Sequence, residues 1–145
     1  EGHKVIVWCF YRAEIEAVVA VLEKLKLGYV AVRGREPGDV DRFNTDPECK
    51  VLVCQERAGA HGLNLTVADY MIYVSNDWDL ETRTQSLDRN RRIGQKRNQH
   101  VVDLVAVRKD GRPTLDRLVL KALKNKRNLA QSVDVKRLSE IMASH

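Results

Sequence analysis

Five apolar runs of strand length recur along the 145-residue chain, and helical segments separate most of them. The runs cover residues 4–10, 29–32, 50–54, 70–74 and 100–107. A continuous run such as KVIVWCF, at the first of these positions, is typical of a parallel strand that is covered on both faces. Strands that alternate with helices through short connections predict a three-layer α/β fold, a parallel sheet with helices on both faces.

The helical segments are recognised by the spacing of their apolar residues. In the first of them, Ile15, Val18 and Leu22 fall on one face, and Gly28 stands where a left-handed residue is expected to end the helix. In such sheets the catalytic and ligand-binding residues lie mainly in the loops at the carboxyl ends of the strands. Helices are predicted at residues 13–27, 40–44, 80–92, 114–126 and 133–143, the last two as separate helices.

The charge of the chain is positive and unevenly distributed. Lys and Arg number 25 against 20 acidic residues, and the excess lies mainly in residues 83–97 and 108–127. Basic tracts of this kind attract phosphates, although a solvated helical face is the alternative interpretation.

The remaining composition bears on compartment, metals and membranes. Cys9, Cys49 and Cys54 form an odd set without a C-x-x-C pair, which favours a reduced intracellular protein whose thiols are small core residues. The four histidines share no metal-ligand spacing, so a metal site is not expected. No run approaches the 18 apolar residues of a membrane span, and no secretory leader is recognisable, so neither a membrane nor secretion is expected.

Residues 85–95, with the sequence QSLDRNRRIGQ, carry the clearest chemical signal. On a helix, Gln85, Asp88, Arg89 and Arg92 fall on one face, which is polar and is therefore expected to point away from the core. Two guanidinium groups one turn apart suit a polyphosphate, and an arginine can stabilise the charge on a transferred phosphoryl group. The alternative is an ordinary surface helix in which Asp88 pairs with Arg92.

This segment closely resembles the sixth motif of Swi/Snf-type ATPases, Q-x-x-D-R-x-x-R-I-G-Q. Residues 58–65 (AGAHGLNL) resemble the fifth motif of the same family, A-G-G-x-G-L-N-L. The resemblance implies the C-terminal RecA-like lobe, or helicase C-terminal domain, of a Swi/Snf-family superfamily 2 helicase-like ATPase. It covers residues 1–145, with 114–145 as C-terminal bracing helices.

The resemblance also implies roles for individual residues. Arg89 and Arg92 would be arginine fingers that reach the γ-phosphate of a nucleotide. Gln85, Asp88, Gly62 and Asn64 would face that nucleotide. Charge and loop position add candidate contacts to the nucleic-acid backbone, namely Arg33, Arg35, Arg57 and Gly59.

Four positions near these motifs bear on the expected contacts. Arg91 replaces a histidine that the family often has, and Gln55 and Glu56 replace a hydroxyl pair credited with touching nucleic acid. A carboxylate beside phosphates is unfavourable, so Glu56 is not expected to contact DNA directly. Trp78 is predicted to be a packing anchor, with contact to a second lobe as the alternative.

Neither a G-x-x-x-x-G-K-[ST] loop nor a magnesium-binding pair of carboxylates is present in the chain. ATP and Mg²⁺ are therefore expected to bind mainly to an N-terminal lobe absent from this chain, and the isolated chain is expected to be inactive. The predicted function is the second motor lobe of an ATP-dependent translocase that moves on double-stranded DNA. We expect a monomer inside the cell, nuclear if eukaryotic and cytoplasmic if bacterial or viral.

Two alternatives remain open at this point. The chain can belong to a strand-separating or restriction-type helicase, which is the same fold in a different motor. It can also be a non-catalytic nucleic-acid-binding or protein-interaction domain that keeps the RecA-like fold without using ATP.

Overall fold

The computed structural model of the chain describes residues 2–34, 38–57, 63–90 and 98–143, with side chains described as far as residue 131. Strands and helices follow one another in the predicted order. They are β1 (Val5–Cys9), α1 (Arg12–Lys24), β2 (Gly28–Val32), α2 (Val40–Thr45), β3 (Cys49–Gln55), β4 (Tyr70–Tyr73), α3 (Leu80–Asp88), β5 (His100–Asp103) and α4 (Leu115–Ala143).

The five strands form one parallel sheet in the order β2-β3-β1-β4-β5. In the centre of the sheet Val5 lies opposite Val51 on one side and Tyr70 on the other, and Tyr70 in turn lies opposite His100. The predicted α/β class is confirmed. Because all strands run the same way, the carboxyl ends of β1, β3, β4 and β5 meet at a single edge.

Two apolar cores cover the two faces of the sheet. On one face Ile15, Val19 and Leu22 of α1 pack on β1 and β3. On the other face, residues of α2 join a larger cluster around Trp8, whose ring stacks on Tyr73 with centroids 6.2 Å apart. Helices α3 and α4 lie on this second side, so the layer order predicted from the sequence is also confirmed.

The three cysteines are free and buried in these cores, as predicted. Burial raises the pKa of the Cys9 and Cys54 thiols to about 12. They therefore act as small apolar residues and not as nucleophiles.

The end of α1 differs from the prediction. The left-handed residue is Lys26, with a φ of 54°, and Gly28 already belongs to β2. Gly28 is needed for a different reason, because a Cβ there would lie 2.2 Å from the carbonyl oxygen of Glu48. Close strand approach, and not helix termination, therefore accounts for this glycine.

Two further boundaries were predicted wrongly. The segments predicted as separate helices at 114–126 and 133–143 form the single helix α4, since neither Gly nor Pro interrupts the chain between them. The fifth strand is shorter than 100–107, because its partner β4 itself ends at Tyr73. Of the helix predicted at 80–92, the structure shows α3 to Asp88, and residues 91–97 lie outside the described part.

Candidate functional site at the carboxyl edge

Residues that follow the carboxyl ends of the strands form a polar cluster, here called the carboxyl edge and made up of residues 10–14, 55–57, 75–79 and 103. Its first element is Glu14, near the start of α1. One carboxylate oxygen of Glu14 accepts the N–H groups of Phe10 at 3.1 Å and Tyr11 at 3.0 Å, and the hydroxyl of Ser75 at 2.6 Å. These bonds tie the β1–α1 turn to the end of β4.

Glu56 is the most deeply buried acid of the carboxyl edge. Its side chain is turned inward, the residue is 3% exposed, and Oε2 accepts the backbone N–H of Asp77 at 3.1 Å. Burial raises the pKa of this carboxyl to about 7, and the N–H of Asp77 and the charge of Arg83 act in the opposite direction. The carboxylate of Glu56 is therefore turned away from the surface, and its lack of direct contact with DNA stays a prediction.

Arg57 is the predicted nucleic-acid contact that the structure leaves at the surface. Its side chain is 66% exposed and lies over the ring of Phe10, 5.5 Å from the ring centroid. The Nε and Nη2 groups both donate to Oδ2 of Asp77, at 3.0 and 2.7 Å. Because Asp77 is buried, it fixes the direction in which Arg57 extends.

Arg33 lies apart from Arg57, next to α1. Its guanidinium donates through Nε and Nη2 to the two carboxylate oxygens of Glu16, at 2.7 and 3.2 Å. This contact lowers the pKa of the Glu16 carboxyl. Arg35 and Gly59, the other two predicted backbone contacts, lie outside the described residues.

Helix α3 carries the predicted polar face. Gln85 and Asp88 are exposed as expected, and Gln85 donates to Glu81 at 3.1 Å. Arg89 is 7% exposed, so the prediction that it also points away from the core is wrong. Its guanidinium lies near the end of β3, where its charge acts against the rise in the pKa of Cys54. Arg92, the second predicted arginine finger, lies outside the described residues.

The physical reason is that the inward face of α3 is itself polar. Arg83, Ser86 and Arg89 follow one another at helical spacing, and all three are largely buried. Tyr73 on β4 contacts Ser86 through its hydroxyl at 2.7 Å. A polar stripe on this helix therefore packs against the polar carboxyl edge, and polarity alone did not distinguish the inner face from the outer one.

Asn64 is exposed, and its side chain contributes to a local turn. Its Oδ1 accepts the backbone N–H of Thr66 at 3.3 Å and the hydroxyl of Thr66 at 3.0 Å. Its carbonyl oxygen accepts from the side chain of Asn44 at 3.3 Å. Gly62, the other nucleotide-facing residue predicted in this loop, lies outside the described residues.

A cluster centred on Arg83 was missed by sequence reasoning. Its guanidinium donates to both carboxylate oxygens of Asp103, at 2.9 and 3.2 Å, and also to Asn76. The only available sequence signal was Asp103 inside the apolar run 100–107, and an acid there does not indicate which basic residue pairs with it. Trp78 is 45% exposed, so its interpretation as a packing anchor is wrong.

Comparison with known proteins places these features in a family context. Residues 1–94 match the family model described as helicase conserved C-terminal domain. The chain is 33% identical over 139 residues to human TATA-binding protein-associated factor 172, across 90% of this chain and 7% of that protein. It is 31% identical over 138 residues to helicase SWR1 of Eremothecium gossypii, across 89% of this chain and 9% of that protein.

A solved structure supports the fold independently. The C-terminal part of the Fun30 ATPase domain superposes with a TM-score of 0.73 at 20% identity, covering 83% of this chain and 39% of that one. The chain spans less than about a tenth of the length of the two curated relatives described above. Among the helices that the structure describes, none combines the length and apolar character needed to cross a bilayer.

Proposed function

Because this chain belongs to the helicase conserved C-terminal domain family, in the group of Swi/Snf-type ATPases, we propose that it is the second motor lobe of an ATP-dependent translocase on double-stranded DNA. The observation that carries the proposal is the family match over residues 1–94, which contains the fifth motif and most of the sixth. The parallel sheet supports it, since the fifth motif comes after the carboxyl end of β3 in the sequence.

The nucleotide would be shared with another lobe. ATP and Mg²⁺ would be held mainly by an N-terminal RecA-like lobe of the same protein, because this sequence contains no phosphate-binding loop. The present chain would contribute Arg92, supported by Gln85, Asp88, Gly62 and Asn64. An arginine that enters from a facing lobe stabilises the charge on the transferred phosphoryl group.

Because Arg89 is buried, Arg89 and Arg92 are not equally suited to the role of arginine finger. A side chain that is 7% exposed in this lobe would have to turn outward before it could touch a nucleotide. We therefore assign the finger role to Arg92 first and propose that Arg89 supports the motif from within. The same burial is the observation that favours a non-catalytic RecA-like domain as the second candidate function.

Contact with DNA would centre on Arg57. Its side chain is 66% exposed although Nε and Nη2 both donate to Asp77, and the neighbouring Glu56 is turned away from the surface. Arg33 is a weaker candidate because its side chain is 27% exposed against 66% for Arg57, and Arg35 and Gly59 remain candidates on charge and loop position alone. We expect the intact protein to act as an intracellular monomer, with residues 114–145 bracing the lobe.

Replacement of Arg92 tests the finger assignment directly. In the intact protein that contains this lobe, Arg92→Ala should lower ATP turnover by roughly a thousandfold and leave nucleotide affinity nearly unchanged. Arg112→Ala, which removes an exposed arginine from the turn before α4, is the matched control and should leave both quantities as they are. Near-normal turnover in Arg92→Ala would favour the non-catalytic domain.

A further inference from the structure

The attachment of α3 to the rest of the lobe is unusual for a helix on a parallel sheet. Helix α1 is held by three buried apolar side chains, Ile15, Val19 and Leu22. In α3 the buried residue is Ser86, and Leu87 is only partly buried against the core. The position of α3 therefore depends on polar contacts, which are directional, more than on apolar area.

Arg83 makes most of these contacts. Its side chain is 11% exposed. The two terminal nitrogens donate to the two carboxylate oxygens of Asp103 at the end of β5, at 2.9 and 3.2 Å. A third bond reaches Asn76 in the loop that leads into α3. Such a two-point contact between planar groups fixes orientation as well as distance.

The same guanidinium also rests on the end of β4. Its Cζ lies 3.2 Å from the ring centroid of Tyr73, a cation–π contact with a buried ring. The Tyr73 hydroxyl lies 2.7 Å from the Ser86 hydroxyl, which donates to the carbonyl oxygen of Arg83 at 2.8 Å. The contacts thus form a closed loop that joins one turn of α3 to two neighbouring strands.

We propose that Arg83 is a positioning residue of the motor, which fixes α3 on the carboxyl edge and so determines where Arg92 is presented. The proposal rests on the proposed function and deepens it. Arg92 follows the last residue of α3, Asp88, by four residues in the sequence, so a tilt of α3 moves the point from which the chain continues toward Arg92. A displacement of about 1 Å at a reacting group can lower a rate by roughly a hundredfold.

The first experiment uses the intact protein with Arg83→Gln, Arg83→Lys and Asp103→Asn. We expect kcat for ATP hydrolysis to fall at least about tenfold in each variant, while KM for ATP and affinity for DNA change by less than about twofold. Lysine should fail to rescue because it keeps the charge but lacks the fork. Arg42→Gln, which removes an exposed arginine of α2 that is paired with Asp46 and lies outside both basic tracts, is the control and should have no effect.

The second experiment separates positioning from general stability. In the Arg92→Ala background, adding Arg83→Gln should not lower single-turnover hydrolysis further, because the group that Arg83 positions is already missing. An additional loss would overturn the proposal. If Arg83→Gln does not fold, Asp103→Asn, which preserves the shape of the side chain, is measured in its place. An unchanged kcat in Asp103→Asn would also overturn the proposal. If Arg92→Ala alone is normal, it is the finger assignment that fails.

Discussion

The two edges of the sheet use charged residues in different ways. At the amino edge, where β1 and β4 begin, Asp69 is buried and its Oδ1 accepts the backbone N–H of Lys4 at 3.3 Å, while its other oxygen contacts His3. The ammonium of Lys4 donates to the carbonyl oxygens of Phe43 and, at 2.9 Å, of Asp46. The charged side chains at this edge therefore bond largely to backbone atoms of neighbouring elements.

At the carboxyl edge Arg57 and Arg83 bond to side chains, whereas the acids Glu14 and Glu56 accept backbone N–H groups. Arg57 is held by Asp77, and Arg83 is held by Asp103, so pairs connect one loop or strand end with another. Backbone bonds define secondary structure, whereas a pair of side chains can exchange a partner for an incoming phosphate. The difference between the edges thus lies in the basic residues, since Lys4 binds backbone carbonyl groups and the two arginines bind carboxylates.

The largest effect on stability should therefore come from the amino edge. Asp69→Ala removes a buried acceptor from the N–H of Lys4 and should lower the free energy of unfolding by about 3 kcal/mol. Chemical denaturation measures this loss, and Asp110→Ala, at an exposed acid, is the control. If the folded fraction of the intact Asp69→Ala protein hydrolyses ATP more slowly than the parent, Asp69 affects activity as well as stability, and the contrast between the two edges is contradicted.

An intermediate effect, with a definite dependence on pH, is expected for Glu56. The folded-state pKa of about 7 lies above the ordinary value of 4.5, so the folded lobe holds this proton more tightly than the unfolded chain. The resulting stability is complete below pH 4.5 and is lost as the pH rises through 7. Glu56→Gln should therefore match the parent in acid and exceed it above neutrality by on the order of 2 kcal/mol.

Thermal denaturation of both proteins across this pH range would measure the difference. The attraction between Glu56 and Arg83 is lost in the variant, which keeps the gain below the value that the pKa shift alone would give. If the difference in stability between the two proteins is the same at all pH values, the pKa of Glu56 is not raised in the folded lobe.

The smallest effect on stability should come from Arg57. Because its side chain is largely exposed, Arg57→Ala should lower the free energy of unfolding less than the two changes above, although it removes two N–H donors from the buried carboxylate of Asp77. DNA affinity of the intact protein should nevertheless fall several-fold, with a salt dependence reduced by about one phosphate contact. Titrations at several salt concentrations measure both, and an unchanged salt slope would remove Arg57 from the interface.

Much of the fold could be predicted because its signals are local. The apolar run that contains Trp8 identified the central strand, and the spacing of Ile15, Val18 and Leu22 identified α1. Helix boundaries were less predictable. The left-handed turn at Lys26 has no glycine to indicate it, and Gly28 is required by a carbonyl group that lies distant in sequence.

The candidate site was only partly predictable for a related reason. Motif resemblance identified Gln85, Asp88 and Arg89, but not which of them point inward. Arg83 is buried because Tyr73 and Asp103 supply its partners, and neither is adjacent to it in sequence. Polar side chains on an inner face are recognisable only once the strands that satisfy them have been assembled.

The margin of the sheet at β5 has a practical consequence. Val101 and Val102 are 37% and 42% exposed, and one row of backbone groups in this strand points away from β4. A margin of this type can act as a template on which another extended chain adds. Preparations of the separated lobe should therefore lose solubility as concentration rises, and the material that precipitates should be enriched in intermolecular β-structure.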